Sequence, residues 1–315
     1  MKHPRALAYV AFLVVCIVWG TTYLAIRIAI ETIPPLLLTG ARYTAAGIIM
    51  LAIAKFRGER IPRDRRTLAN LLLIGTLMVA VGNLAVVMAE QWVPSGMTAL
   101  LVATAPFWAT LIERLHAGGE RIDRRSGIGM FIGFAGVALL VTPQGSAGHL
   151  DLKFLGGALL LQFGSIGWQW GTARGKYSIR GVPFVTSIAL QMLFGGLVVD
   201  TVGFAIGEGS RFVLTPRTLG ALVYLALFGS VLAYSAYVYA VGHLPSTQMT
   251  LYAYINPLVA VVLGWLILDE RLTWVSIAAM CVILGGVAVV QTAALRGRRV
   301  ARTAELAMAE QKTAA

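Results

Sequence analysis

The first long apolar stretch of the chain reads, at residues 8–30, AYVAFLVVCIVWGTTYLAIRIAI, with Arg27 as its only charged residue. A helix rises about 1.5 Å per residue, so a stretch of this length crosses the roughly 30 Å hydrocarbon core of a bilayer. Lys2 and Arg5 before it resemble the basic head of a signal peptide, but the apolar run continues without a small-residue cleavage site. We therefore predict an uncleaved membrane-spanning helix.

Further stretches of the same kind account for the composition of the whole chain. Of its 315 residues 58% are hydrophobic and only 13% are charged, whereas a soluble domain carries about a quarter charged residues. This balance excludes a soluble enzyme and a disordered chain. The predicted spans lie at 8–30, 36–55, 68–91, 96–116, 126–143, 154–175, 184–206, 217–241, 246–268 and 273–293.

The positive charges predict how the chain is oriented in the membrane. With the amino terminus placed in the cytoplasm, twenty of the 26 lysines and arginines fall in cytoplasmic loops or tails, as the positive-inside rule requires. The densest runs, 55–66 and 296–302, then face anionic cytoplasmic lipid. The net charge of +12 is therefore a topology signal and does not indicate a nucleic-acid partner. We expect a multi-pass protein of the plasma (inner) membrane with both termini cytoplasmic.

An internal repeat organises the ten segments into two copies of a five-helix unit. Residues 1–143 form the first copy with helices 1–5, residues 150–293 form the second with helices 6–10, and 294–315 form a basic cytoplasmic tail. Because five is odd, the second copy enters the membrane from the opposite side, which gives two inverted repeats in an all-α integral membrane protein. The matching pairs, offset by 149 to 151 residues, include Trp19 and Trp168, Pro34 and Pro183, Arg42 and Gln191, Gly47 and Gly196, Pro94 and Pro245, Pro106 and Pro257, and Glu120 and Glu270.

Several of these residues also carry a family resemblance. They are Trp19-Gly20-Thr21-Thr22 leading to Arg27, then Arg42, the two helix prolines, Gly119-Glu120-Arg121 and Asp269-Glu270-Arg271. Over about residues 8–293 the chain resembles the EamA family of the drug/metabolite transporter superfamily. The resemblance implies ten helices in two repeats and a carrier of small metabolites, commonly an exporter of amino acids or related compounds. It leaves the substrate open.

Prolines and aromatic residues near the membrane midplane are the first candidates for a substrate site. Pro106 and Pro257 lie about ten residues into their segments and leave the carbonyls of Val102 and Ala253 without a helical donor. Such carbonyls are tolerated where water or a polar ligand reaches them, although a kink for packing is the alternative. Repeat-related tryptophans and nearby tyrosines could form an aromatic-walled cavity or could fill gaps between helices.

Arg42 is the charged residue that most needs explanation. It lies about six residues inside its segment, or about 9 Å below the outer surface, where an unpaired charge costs several kcal/mol. Glu90 near the outer end of segment 3 could pair with Arg42, or could accept a substrate ammonium or the coupling proton. The alternative is that both side chains extend to the interface.

The sequence thus predicts a secondary transporter that works by alternating access. The alternatives are an exporter of cationic drugs or nucleosides, a membrane-embedded sensor, or an enzyme acting on lipid-linked substrates; no catalytic motif, cofactor motif or metal-ligand set supports an enzyme. The expected partners are a small-molecule substrate, the lipid bilayer and, as a candidate coupling ion, protons, while monomer and homodimer both stay open. The predicted substrate-binding residues are Trp19, Tyr23, Arg42, Asn83, Glu90, Pro106, Trp108, Trp168, Trp170, Gln191, Tyr234, Tyr237, Tyr254, Asn256 and Pro257.

Overall fold

The computed structural model describes residues 4–115, 124–141, 152–179, 181–244, 249, 252–270, 273–275, 277–290 and 292. Every regular element within these ranges is helical. A helix satisfies its own main-chain hydrogen bonds, which the hydrocarbon core of a bilayer demands of any segment that crosses it. The predicted tail, 294–315, lies outside the described residues.

The helix boundaries follow the hydropathy pattern closely. Six of the described helices, α1–α4, α7 and α8, are long and apolar enough to cross a membrane, and shorter apolar helices occur in the α9 and α10 regions. The apolar spans of these six helices, the first of which begins at Ala6 within α1, agree with the predicted spans to within three residues at either end. The described helices are α1 (Pro4–Ala29), α2 (Pro35–Phe56), α3 (Arg65–Ala89), α4 (Ser95–Leu115), α5 (Arg124–Val141), α6 (Leu152–Ser178), α7 (Phe184–Ala205), α8 (Pro216–His243), α9 (Tyr252–Leu268) and α10 (Ile277–Val290).

Prolines mark the starts of several helices. Pro34, Pro94 and Pro183 each immediately precede a helix, with ψ between 144° and 148°. The fixed φ and missing N–H of proline suit this position, where no intrahelical bond is lost. The start of α3 is capped instead by the Asp64 side chain, which accepts the Thr67 N–H at 2.8 Å. That hydrogen bond lowers the pKa of the exposed Asp64 carboxyl from its ordinary value.

Two glutamates cap helices that belong to the opposite half of the chain. Glu208, in the connection after α7, accepts the Leu37 N–H in the first turn of α2 at 3.0 Å. Glu59, in the connection after α2, accepts the Thr186 N–H at 2.8 Å and its hydroxyl at 2.9 Å in the first turn of α7. A carboxylate at a helix N-terminus satisfies orphan N–H groups and complements the helix dipole. Glu59 and Glu208 are 149 residues apart, so each half makes the same contact on the other.

Each of these glutamates follows a glycine in the left-handed conformation. Gly58 has φ 67° and Gly207 has φ 83°, and a side chain at either position would meet open space. Backbone conformation, rather than crowding, therefore requires glycine at both positions. The left-handed turn ends α2 and α7 and directs the following carboxylate toward the neighbouring helix.

The centre of the bundle is the close crossing of α2 and α7. A Cβ added to Gly47 of α2 would lie 2.6 Å from the Leu193 main-chain nitrogen, and one added to Gly196 of α7 would lie 2.5 Å from the Thr44 nitrogen. Small residues allow two helix backbones to approach this closely. Gly47 and Gly196 are again 149 residues apart, so the crossing brings together equivalent points of the two halves.

The bundle has two ends, and the contacts made by the segments that connect the helices identify them. At the first face, Arg27 near the end of α1 donates to the main-chain oxygen of Glu90 after α3. At the same face, Glu270 after α9 binds Ser95, the first residue of α4. The second face is the opposite end, where Glu59 caps α7. These definitions are used below to place the cavities.

Candidate functional site

A cavity lies inside the bundle among α1, α2, α3, α4, α6 and α9. It holds about 660 Å³ of space free of protein atoms, including the part that opens outward. The lining residues are Trp19, Thr22, Tyr23, Ile26, Arg42, Gly82, Asn83, Val86, Val102, Ala105, Leu161, Gly164, Ser165, Trp168, Gln169, Tyr252 and Asn256.

Aromatic rings form one wall of this cavity. The Trp19 ring lies edge-on to Trp168 and Tyr252, with centroid distances of 5.5 and 5.7 Å, and 5.0 Å from Tyr237. Its indole N–H donates to the Gly229 carbonyl at 3.2 Å, which fixes the ring across the α1–α8 contact. Edge-to-face pairs of this kind are favourable and leave ring faces available for stacking against a ligand.

Arg42 supplies the one charged side chain among the described lining residues. It is only 2% exposed. Its Nε donates to the Ser230 hydroxyl at 2.7 Å and its guanidinium lies 4.8 Å from the centroid of the Tyr43 ring. The NH1 group, although buried, has no hydrogen-bond partner among the described residues.

The predicted pairing of Arg42 with Glu90 is not formed. Glu90 is fully buried, and neither carboxylate oxygen has a hydrogen-bond partner within the described parts of the chain. It does not line the cavity, but Val86, one helical turn earlier, does. The guanidinium binds Ser230 through Nε instead, and its NH1 group is left without a partner among the described residues. Glu90 therefore stands between the cavity and the first face as a separate buried carboxyl group.

Asn83 contributes a second unsatisfied polar atom to the cavity. Its side-chain oxygen is buried and has no partner among the described residues. Asn83 ends a π-helical segment of α3, Thr76–Asn83, and α8 also contains a π-helical segment, Leu225–Leu232. Such segments displace side chains from regular helical positions and are frequent at functional sites.

The equivalent residues of the second half behave differently. Gln191, which corresponds to Arg42, accepts the hydroxyl proton of Tyr234, which corresponds to Asn83, at 2.9 Å. Gln191 also donates to the Ser187 hydroxyl at 2.9 Å. This pair is buried in the core and does not line the cavity. The charged side chain of the cavity thus comes from the first half, while the second half contributes the polar residues Ser165, Gln169, Tyr252 and Asn256.

The α4 helix is interrupted where it meets the cavity. Its two parts, Ser95–Val102 and Ala105–Leu115, are separated by a turn at residues 103–104. Pro106 lies at the start of the second part and does not itself line the cavity, whereas Val102 and Ala105 do. The predicted counterpart, Pro257, lies within a continuous α9. The two repeat-related prolines therefore have different local structures.

Gln162 of α6 stabilises the interruption. Its side-chain oxygen accepts the Thr104 hydroxyl at 2.8 Å and the Trp108 indole N–H at 2.9 Å, and its amide donates to the Leu101 carbonyl at 3.2 Å. Trp108 thus holds the helices that frame the cavity rather than lining it. Sequence reasoning did not single out Gln162, because nothing local marks a glutamine whose partners lie 54 to 61 residues away.

The structure brings together six of the predicted substrate-binding residues around the cavity, and Tyr237 lines a neighbouring one. The lining does not include Glu90, Pro106, Trp108, Trp170, Gln191, Tyr234 or Pro257, and the side chain of Tyr254 lies outside what the structure describes. The six are Trp19, Tyr23, Arg42, Asn83, Trp168 and Asn256.

Four polar lining residues were missed: Thr22, Ser165, Gln169 and Tyr252. Helical spacing gave a usable signal for them. Ser165 lies three residues before Trp168 and four before Gln169, spacings that place residues on one face of a helix, and Tyr252 lies four residues before Asn256.

A second cavity lies next to the first, on the side of the second face. It holds about 590 Å³, including its open part, and shares the wall residues Gln169 and Tyr252 with the first cavity. Its other lining residues include Glu113 and Lys176, which lie near the ends of α4 and α6. The two cavities therefore lie one after the other between the middle of the bundle and the second face.

The first face is closed by polar contacts. The Glu270 carboxylate accepts the Ser95 N–H and hydroxyl at 2.7 and 2.8 Å and the Gly96 N–H at 3.2 Å, which ties the end of α9 to the start of α4. At the same face Arg217 and Glu31 form an ion pair at 3.2 Å. Polar contacts thus connect helices across the first face, and the second cavity lies on the side of the second face.

A bundle of apolar helices around an internal cavity defines the class of membrane transporters. The sequence model of the EamA-like transporter family matches this chain twice, at residues 6–142 and 155–292. The chain belongs to the EamA-like transporter family, and the resemblance read from its motifs is confirmed.

Curated relatives agree with this assignment. The chain is 39% identical, over 87% of both lengths, to the uncharacterized inner membrane transporter YedA of Escherichia coli strain K12. It is 26% identical to the uncharacterized transporter YvbV of Bacillus subtilis over 93% of both chains, and 26% identical to protein PecM of Dickeya dadantii over 92% of this chain and 93% of that one. The protein is a multi-pass transporter of the plasma membrane, and these names favour a transporter over an enzyme.

A solved crystal structure shares the fold. It covers 94% of this chain and 99% of its own, with a TM-score of 0.68 and 21% sequence identity. At this identity the likeness concerns the fold alone.

Proposed function

We propose that the protein is a secondary transporter of small metabolites built from ten transmembrane helices in two inverted five-helix repeats, 1–143 and 150–293, with both termini cytoplasmic. The double match to the family model supports this organisation. So do the reciprocal caps by Glu59 and Glu208 and the α2–α7 crossing at Gly47 and Gly196. Inverted repeats exchange conformations with each other, which exposes one site to each side of the membrane in turn.

The observation that carries the proposal is a cavity inside the bundle, with polar contacts across the first face and a second cavity on the side of the second face. With cytoplasmic termini, the first face is external and the second is cytoplasmic. The chain then adopts an inward-facing state, ready to take solute from the cytoplasm. This is the loading state of an exporter, and we propose export of amino acids or related compounds. Cationic drugs fit less well, because Arg42 places a positive charge in the cavity.

We propose Glu90 as the group that couples transport to protons. It is buried beside the cavity without a hydrogen-bond donor to its carboxylate among the described residues. Ionising such a group is costly, so its charge state responds to a change of surroundings between two conformations. In this proposal, Glu90 takes up and releases the coupled proton during the transport cycle.

A Glu90→Gln substitution tests the coupling role. Glutamine keeps the shape of the protonated carboxyl and removes the titration, so the pH dependence of transport is expected to flatten between about pH 5 and pH 8. Glu90→Asp serves as the control, since it retains a titratable group and is expected to keep a pH-dependent rate. A Glu90→Gln profile that matches the wild type would assign coupling to another group.

The Glu270 contacts predict an effect on conformation. Glu270→Gln weakens three charge-assisted hydrogen bonds that hold the first face closed. We expect a cysteine in the cavity, introduced as Ser165→Cys, to react several-fold faster with an impermeant thiol reagent added outside.

Asp269→Asn is the matched control for that prediction. Asp269 has φ 53°, a conformation that asparagine also tolerates, and it precedes Glu270 directly. Its substitution is expected to leave the labelling rate unchanged. Equal rates for the two variants would show that Glu270 does not hold this face closed.

Flux through reconstituted protein tests the proposed function. Purified protein in proteoliposomes is supplied with labelled amino acids, nucleosides and cationic drugs, with and without a pH gradient. Saturable, protein-dependent flux of an amino acid is the expected result. Flux of none of these solutes in either direction would contradict a metabolite carrier and favour a sensor or an enzyme.

A further inference from the structure

We infer that Arg42 and Asn83 form a subsite that binds an acidic group of the transported solute, so that the cargo is an organic monoanion or a zwitterion with one carboxylate. This inference rests on the proposed transport function and deepens it by naming the substrate class. It starts from two unsatisfied polar atoms in one cavity, a donor and an acceptor.

The Arg42 guanidinium offers its donors in a defined direction. Nε is taken by the Ser230 hydroxyl at 2.7 Å, and the NH2 side packs against Gly229, where an added Cβ would lie 2.9 Å from NH2. NH1 remains, buried and without a partner among the described residues, on a side chain that lines the cavity. A guanidinium keeps its charge in proteins, and its strongest partners are carboxylates and other oxyanions.

The described lining of this cavity holds no carboxylate that could pair with Arg42. None of the other described lining residues is acidic, and Glu90 does not line it. A buried cation without a counter-ion is costly, and the cost is recovered when an anion binds. Arg42 thus favours a solute that carries negative charge over a neutral or cationic one.

Asn83 sets the second requirement. Its unpartnered side-chain oxygen accepts an N–H or O–H, so it complements an ammonium, amide or hydroxyl next to the acidic group. In the second half the equivalent residues, Gln191 and Tyr234, satisfy each other at 2.9 Å. The first half has an arginine in place of that glutamine, and neither the Arg42 NH1 group nor the Asn83 oxygen has a partner among the described residues. The unsatisfied polar groups therefore belong to Arg42 and Asn83, the pair that lines the cavity.

The remaining walls define the body of the solute. Trp19, Tyr23, Trp168 and Tyr252 surround a space that suits an apolar or aromatic group. A multiply charged phosphate would bring more negative charge than one arginine compensates. A single acidic group on a partly apolar molecule fits both the Arg42–Asn83 subsite and the aromatic walls.

The test compares an acid with its uncharged derivative. Wild-type proteoliposomes are given labelled apolar and aromatic amino acids, the corresponding amino acid amides, and the corresponding amines that lack the carboxylate. We expect each carried acid to be preferred over its amide by about 10- to 100-fold in kcat/KM, the range of a charge-assisted hydrogen bond. Arg42→Gln is expected to bring this ratio close to one, whereas Arg42→Lys, which keeps the charge, retains part of the preference.

A second variant covers the case in which Arg42→Gln does not fold. Asn83→Asp places a carboxylate in the cavity that Arg42 also lines, and it is expected to lower acid binding while leaving the amide and the amine bound as well or better. A purely structural role of Arg42 would reduce all three solutes equally and leave their ratios unchanged. Equal transport of the acid, the amide and the amine by the wild type would overturn the inference. Wild-type preferences in Asn83→Asp would also overturn it if Arg42→Gln either keeps the wild-type preferences or does not fold.

Thermal stabilisation in detergent separates this inference from the proposed function. If none of the probes is carried, the transport proposal fails, and the same acids and amides are then tested as ligands. Acid-selective stabilisation that Asn83→Asp removes would keep the Arg42 subsite. Stabilisation by none of the acids would overturn it.

Discussion

Replacing Trp19 with alanine is expected to lower kcat/KM for transport at least about tenfold while the protein stays folded. Trp19 lies between Trp168, Tyr237 and Tyr252 and lines the cavity directly. Each aromatic contact contributes about 0.5–1.5 kcal/mol beyond area burial, and one such contact with the solute accounts for a factor of ten. The initial rate of labelled solute uptake into proteoliposomes measures the effect.

Trp265→Ala is the matched control for this substitution. Trp265 is on α9 and 57% exposed, on the outer surface of the bundle. It is expected to leave both the transport rate and the Tm in detergent within error of the wild type. Unchanged kinetics in Trp19→Ala would remove Trp19 from the site. If that variant aggregates, Trp19→Phe tests the same contact with a smaller loss of volume.

The largest expected loss of stability follows from Gly196→Val. The first atom of any side chain here would lie 2.5 Å from the Thr44 main-chain nitrogen, and the Thr44 hydroxyl would lie 2.6 Å away. Because the obstructing atom belongs to the backbone, α2 and α7 must move apart. We expect the free energy of unfolding to fall by more than the range of about 1–3 kcal/mol that is typical of overpacked cores. The same reasoning applies to Gly47→Val, at the equivalent position of the first half.

Gly156→Val provides the comparison for Gly196→Val. Gly156 lies in α6, and a Cβ there meets no atom within 4 Å. Both variants introduce the same β-branched residue into a helix, so the difference in Tm and in folded yield isolates the crossing. Equal stability of the two variants would contradict a tight α2–α7 contact.

The span boundaries could be predicted from the sequence because burial in a bilayer imposes a strong and continuous apolar signal. The six clear spans were placed to within three residues. The repeat offsets also drew attention to Gly47 and Gly196, which meet at the helix crossing. The reciprocal caps were not predicted, since Glu59 and Glu208 bind partners 127 and 171 residues away and nothing in their local sequence marks them.

The sequence predicted the types of residue that form the site better than it predicted their positions around the cavity. Spans that are apolar on most sides carry little information on which face meets the cavity, so Trp170 was chosen while Gln169 beside it was missed. Trp170 is 41% exposed and Gln169 is 8% exposed. The Arg42–Glu90 pairing was plausible in depth, but depth does not give the angular position of a side chain on its helix. Ser230, 188 residues away, proved to be the partner.

Accessibility of one cavity residue from both sides of the membrane tests the central claim most directly. Ser165→Cys, in a chain carrying Cys16→Ala and Cys281→Ala, places a single thiol in the cavity lining. The proteoliposomes are treated with an impermeant thiol reagent on either face, without solute, with subsaturating solute and with saturating solute. We predict labelling from the cytoplasmic face without solute, labelling also from the external face when subsaturating solute drives turnover, and protection from both faces at saturation. Labelling from one face under every condition, without protection, would contradict alternating access to this cavity.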